Sequence, residues 1–311
     1  MSKQLPVPVA PDDGFGQKPG RRGAVRYLQN EAAPCAARMM LGYALRLRRE
    51  AIGLSAYEAA KLLGGSPSKV SRIESGTFAP RQRDLPRFFL MYGITDPEEQ
   101  ERLRELLKAA HEIAWWKPWS AVAPTYLLAA VSFEDMAIGV RSYDSIYLHG
   151  LLQTPEYARA LIKRGRGSAK AHDELAEFRA QRKERFTAAP DKKLLCIVDE
   201  ATLGRAVGSP AIMRGQLEHL IELTSHPHIS LRLAPLYDYR VHVELGSATI
   251  FDFAGRLPPI TFAEGYDGGL VIEDEQMVDR RVKAFDALAA NSLAPHAMRR
   301  RLKDMLASNR Y

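Results

Sequence analysis

The chain has 311 residues, 46% of them hydrophobic and 26% charged, which suits two globular domains and excludes wholesale disorder. No apolar run approaches the ~18–20 residues a membrane helix needs, and the opening MSKQLPVPVAPDDGFGQKPG lacks the apolar centre of a secretory signal. The net charge of +7 is uneven: residues 38–88 hold ten cations against four anions, whereas residues 89–311 hold 29 against 30, so a polyanionic partner is expected at that one segment.

In chain order, residues 1–37 are rich in Pro, Gly and Ala and read as a flexible arm with at most a helical turn near Tyr27–Glu31. The Arg21-Arg22 pair within it suits either a solvated tail or a DNA phosphate. Five helices are expected over 38–113. The first runs from Arg38 to Ala51, with Leu41, Leu45 and Ile52 on one face, and ends at Gly53. Ser55 with Glu58 three residues on makes a capping box for the second, which Gly64 closes. Ser66 caps the third, Pro67 opens it and Gly76 ends it. The loop TFAPRQR leads to a fourth carrying Leu85, Phe88, Phe89 and Tyr92, and the fifth starts near Asp96-Pro97.

The stretch WWKPW, residues 115–119, breaks the pattern and marks the boundary of a third region, 114–311. There, 155–164, 171–187, 210–225, 275–290 and 295–307 read as helices. Strands are expected at 192–200, 229–236, 247–253 and 258–265, with Gly268-Gly269 as a turn. Strand and helix alternate without regular βαβ repetition, which predicts an α+β multidomain protein: a five-helix domain followed by a mixed α+β domain.

The third helix, within GGSPSKVSRIESG, is short and carries only Val70 and Ile73 as large apolar residues. Ala60 allows a close helix crossing, Gly64 tolerates the turn, and Val70 and Ile73 pin a narrow edge to the core. Ser68, Lys69, Ser71 and Arg72 are left to face outward, which suits a helix entering the major groove. A plain surface hairpin with solvated cations is the competing reading. On this pattern, LRLRREAIGLSAYEAAKLLGGSPSKVSRIESGTFAPRQRDL (45–85) resembles the DNA-binding domain of the lambda-repressor-like, or Xre-type, regulators.

That resemblance implies that Ser68, Lys69 and Arg72 contact base edges, with Lys69 and Arg72 favouring guanine. It implies that Ser55, Ala56, Arg81 and Arg83 contact phosphate, and that Arg49 and Glu74 form a structural ion pair. Family members often begin the third helix with Gln where this chain has Pro67 and Ser68, which shifts the reading away from an amide on adenine.

HGLLQTPEYARAL (149–161), VDEATLGRAVGSPAIMRGQLEHLIEL (198–223) and FDALAANSLAP (285–295) resemble the C-terminal domain of many actinomycete Xre-type regulators. The resemblance implies an antitoxin-like regulator with a small cognate partner protein encoded nearby. The residues themselves offer little chemistry. His226, His228, His242 and Glu244 lack the spacing of a metal centre, and Asp199, Glu200 and Glu218 suit helix capping as well as acid–base work. No GxSxG, Walker or GxGxxG motif is present. Trp115, Trp116, Tyr143, His149, Gln153 and Tyr157 are candidates for an effector or partner groove, or for plain packing.

The sequence therefore predicts a sequence-specific transcriptional regulator, a homodimer on double-stranded DNA with an inverted repeat, sensing a partner protein or small-molecule effector. No enzyme activity, cofactor, metal or membrane is expected. The two cysteines, Cys35 and Cys196, match no disulfide or metal pattern, which suits a reduced cytoplasm. An enzyme, or an interaction scaffold working through the C-terminal domain, is the alternative.

Overall fold

The near-continuous apolar run KLLCIVD makes a strand whose two faces both need cover, the alternating ISLRLA pairs beside it, and the fold supplies helices on each side. The structure, a computed structural model, describes residues 25–28, 35–165, 167–189, 191–255, 257–265, 268–309 and 311. Arg21 and Arg22 lie outside them.

The N-terminal helical part comprises α1 (Ala36–Ala51), α2 (Ala56–Leu63), α3 (Pro67–Glu74), α4 (Leu85–Met91) and α5 (Pro97–His111). These are the five helices expected, within two residues of their predicted starts. Each boundary has a local cause. Ser55 and Glu58 complete the capping box, Gly64 takes φ +65° to end α2, and Ser66 caps α3 ahead of Pro67.

The C-terminal part is a mixed α/β domain. Its helices are α6 (Thr125–Met136), α7 (Pro155–Ile162), α8 (Ala169–Thr187), α9 (Glu200–Leu203), α10 (Pro210–Leu223), α11 (Glu275–Asn291) and α12 (Pro295–Ser308). Among the described residues the sheet has seven strands: β1 (Val25–Leu28), β2 (Gly139–Asp144), β3 (Lys193–Asp199), β4 (Ile229–Ala234), β5 (Ala248–Asp252), β6 (Ile260–Glu264) and β7 (Gly269–Ile272). Their order is β1-β7-β6-β5-β2-β3-β4; β2, β3 and β4 run parallel, and the other pairings are antiparallel. On one face Val140, Leu194, Cys196, Leu231 and Phe251 join the core shared with α6, α10 and α12; on the other, Ile197 and Ile250 meet Phe285 and Leu288 of α11.

Three expectations change. The helical turn expected near Tyr27–Glu31 gives way to β1, whose residues pair antiparallel with β7, Leu28 opposite Gly269. The helical part is thus inserted between the sheet's first strand and the rest. Gly269 begins β7 and is not merely a turn residue; its bare backbone admits Phe262, whose ring atoms lie 2.4 Å from where a Cβ would stand. The segment between WWKPW and residue 155 also holds α6 and β2, neither of which was expected. The two parts share one apolar core, and the Ala36 N–H at the start of α1 donates to Ser132 Oγ of α6 at 2.8 Å.

Candidate functional site

Helix α3 is held by three buried side chains, Val70, Ile73 and Glu74, which lie on one edge. Ser68, Lys69, Ser71 and Arg72 are exposed on the remainder. Two further groups fix its ends. Ser66 Oγ accepts the Lys69 N–H at 3.2 Å, and the Arg72 carbonyl accepts from Phe78 N at 3.0 Å and Thr77 Oγ1 at 3.1 Å. The Arg72 guanidinium sits 5.4 Å from the centre of the Phe78 ring, and Lys69 Nζ stands 4.0 Å from Asp84 in an exposed pairing of little strength. Both cations are therefore steered but not neutralised by buried partners, and they are available to a polyanion.

The pair expected to tie α1 to α3 is present. Arg49 Nε and Nη2 donate to the two carboxylate oxygens of Glu74 at 2.7 and 2.8 Å, and Arg49 Nη1 donates to the Leu54 carbonyl at 2.5 Å. Tyr92, which the sequence did not single out for this, donates to Glu74 at 3.4 Å. Gly42 was also missed. A Cβ there would lie 2.4 Å from the Ile73 carbonyl oxygen, so only glycine lets α1 approach the end of α3 this closely.

Of the residues expected at phosphate, Arg81 and Arg83 are exposed in the loop before α4. Ser55 and Ala56 open α2, but Glu58 already brings an anion to that end: its Oε2 accepts from Ser55 N at 2.8 Å and Ser55 Oγ at 2.6 Å. These bonds hold the Glu58 carboxyl below its ordinary range.

The structure disperses the six candidates for an effector groove. Trp115 and Trp116 join a cluster with Trp119 and Phe178, where Trp115 stacks on Phe178 at 5.6 Å. Tyr143 faces α11 and donates to Asp199 Oδ2 at 2.6 Å. Tyr157 and His149 are buried, and burial pushes the His149 imidazole down to about 3. Gln153 alone among them lines a groove of about 690 Å³ between α7 and α8. The other chemistry-bearing residues have structural partners. Asp199 caps α9, Glu200 accepts Arg301 Nε at 2.6 Å, and Glu218 pairs with Arg214 at 3.8 Å. His226 and His228 pack edge to face, whereas His242 pairs with Glu244 at 3.3 Å; among the described residues no three His, Cys, Asp or Glu converge as a metal requires.

A polar cluster under the α6–α8 face was not anticipated. Arg182 donates to both oxygens of Glu134 at 2.9 and 2.7 Å, and Ser142 Oγ donates to Asp144 at 2.5 Å. Burial pushes the Asp144 carboxyl up to about 7; the Ser142 bond and Arg182 pull it down, and Glu264 pushes it further up. A signal existed in the sequence: Arg182 lies four residues from both Phe178 and Phe186, on the buried stripe of α8.

This arrangement has a pH consequence. The folded state binds the Asp144 proton more tightly than the unfolded chain does, so stability falls as pH rises from the ordinary aspartate range through about 7. Asp144→Asn is expected to match the wild type near pH 4 and to exceed it by a few kcal/mol, at roughly 1.4 per pKa unit, near pH 8. Urea unfolding at the two pH values checks this; an equal difference at both would mean Asp144 is ionised throughout.

Residues 127–304, more than half of the chain, match the family described as a domain of unknown function, DUF5753, and residues 40–103 match a helix-turn-helix domain. No curated protein and no solved structure matches the chain. The helix-turn-helix match points to DNA binding by the same helices whose exposed face is cationic. No helix among the described residues is long and apolar enough to cross a membrane.

Proposed function

We propose that this chain, which belongs to the DUF5753 family, is a sequence-specific transcriptional regulator of the Xre type and not an enzyme. The observation that carries the reading is α3 itself: a helix anchored by Val70, Ile73 and Glu74 that turns Ser68, Lys69 and Arg72 outward. Those three contact base edges in the major groove, while Arg81 and Arg83, with Ser55 and Ala56 at the start of α2, contact phosphate. One such module reads few bases, so the protein acts as a homodimer on an inverted repeat whose half-sites lie about 34 Å apart. It works in the cytoplasm. The C-terminal domain dimerises and senses either a small cognate protein, in an antitoxin-like pairing, or a small-molecule effector. Such a signal regulates only by binding the DNA-competent state with different affinity.

The test is fluorescence-anisotropy titration against DNA fragments enriched from a random library, at two salt concentrations. Arg72→Ala is expected to weaken specific binding by about 1–3 kcal/mol and to relax the preference at one base position. A loss shared equally by specific and scrambled DNA would make Arg72 a phosphate contact, and failure to enrich any sequence would remove the regulator reading.

A further inference from the structure

The groove between α7 and α8 has a floor made by Gln153, Arg179 and Lys183. All three are tied together. Arg179 Nη1 donates to Gln153 Oε1 at 2.9 Å, Lys183 Nζ donates to the Gln153 carbonyl oxygen at 3.1 Å, and Lys183 Nζ lies 2.9 Å from His219 Nε2 of α10. Every one of these partners is a neutral amide, carbonyl or imidazole. Among the described residues no carboxylate is in ion-pair range of Arg179 or Lys183. Arg182, on the same helix, shows the contrast, since both oxygens of Glu134 hold it.

Glu264 attracts Arg179 from beyond ion-pair range and nothing comparable acts on Lys183, so two partly buried cations facing one cavity with so little compensation are costly to keep unless something pairs with them. Burial pushes both of their pKa values down; for Arg179 the charge of Arg182 adds to the fall and Glu264 and Tyr126 offset part of it, whereas for Lys183 burial acts alone. The N-terminal turn of α7, capped by Thr154, borders the same cavity and adds partial positive charge. Asp173, Glu177 and Glu184 are exposed where α8 lines the groove. With Arg159 the exposed cation on the α7 side, the rim is still net negative over a positive floor, which disfavours polyanions and admits a small molecule with a single anionic head.

We propose that this groove binds a small organic molecule with one oxyanion head, a carboxylate or a phosphate monoester, which pairs with Arg179 and Lys183 while its body lies along Pro155 and Ala158. The site rests on the reading of the C-terminal domain as a sensor, and it names the effector's chemistry. Lys183 connects the groove to α10 through His219, and Gln216 of the same helix holds the start of α7 by accepting the Thr154 N–H at 2.7 Å.

The experiment uses the full chain and four probes sharing one body: phenylacetate, phenyl phosphate, phenylacetamide and phenethylamine. Binding is read by ligand-observed NMR and by thermal melting at constant ionic strength, with wild type, Arg179→Gln and Lys183→Met. At least one oxyanion probe is expected to bind in the millimolar range and raise the melting temperature by a few degrees. The amide and the amine should do neither, and each variant should lose at least tenfold in affinity. Binding by phenylacetate alone assigns a carboxylate head, by phenyl phosphate alone a phosphate, and by both a general oxyanion site. Ligand-free melting of each variant is the folding reference, since Arg179→Gln gives up the bond to Gln153 Oε1 and the attraction of Glu264, and Lys183→Met gives up the bonds to the Gln153 carbonyl and His219. Oxyanion binding no stronger than that of the amide, or binding unchanged in both variants, would each overturn the proposal. No DNA is present in the assay, so failure of the DNA-binding reading leaves its outcome intact, and the reverse holds too.

Discussion

Glu74→Ala is expected to destabilise the helical part by about 3–5 kcal/mol, far more than deleting a surface charge. The Glu74 and Arg49 side chains are only 6% and 9% exposed, so neither is solvated once its partner is gone. Arg49 would keep the Leu54 carbonyl and a Glu50 carboxylate oxygen at 3.6 Å, neither of which replaces a bidentate pair. Arginine does not shed its proton to escape, so the charge stays. The double variant Arg49→Met/Glu74→Leu removes both charges and should recover most of the loss. Chemical denaturation of Arg49→Met, Glu74→Leu and the double gives the coupling directly. A cost below 1 kcal/mol for Glu74→Ala would show that water reaches the pair. DNA affinity should fall with stability in the single variant, because Glu74 is one of the three buried side chains by which α3 is held.

The contrast between what could and could not be read from the sequence follows from the range of the interactions involved. Ser55, Glu58, Gly64, Ser66 and Pro67 act within one turn of where they stand, and the helix ends they predict are the ones observed. The strand β3 announces itself by an apolar run, KLLCIVD. By contrast, β2 reads GVRSYD, with Arg141 engaged by Asp252 at 2.7 Å and Asp144 turned into the interior; its strand character comes from neighbours 50 to 110 positions away. β1 is four residues whose only reason to be extended is β7, about 245 positions on. The groove floor was half legible. Gln153 was singled out, yet Arg179 and Lys183 look like ordinary surface residues of a charged helix until α7 is placed beside it. Gly42 carries no local signal at all, since its demand is set by the Ile73 carbonyl across the helix crossing.

The insertion of the helical part after β1 makes Glu273 the residue whose loss should separate the two halves. Glu273 follows β7, and its side chain is fully buried. Arg26 of β1 donates to its two oxygens at 3.1 and 2.7 Å, and Arg46 of α1 stands 3.9 Å away. Arg26 also donates to the Ser75 carbonyl at the end of α3. Glu273 and Arg26 together thus link the sheet edge, α1 and the end of α3. Glu273→Ala removes the buried carboxylate that Arg26 and Arg46 both face and is expected to cost about 3–5 kcal/mol. Calorimetry should show the helical transition moving to lower temperature ahead of the sheet, with weaker DNA binding although no DNA-facing residue has changed. Arg26→Ala breaks the same link but leaves a carboxylate, whose pKa burial already raises against the pull of Arg26 and Arg46. Without Arg26 that pKa rises further, so Glu273 takes up a proton and the penalty of Arg26→Ala should shrink as pH falls from 8 to 5. The Glu273→Ala penalty should instead grow towards pH 5, because the folded wild type, whose Glu273 pKa is raised, takes up a proton there and the variant has no such group. Equal pH dependence in the two variants would mean that Glu273 is not the anion on which the two halves are joined.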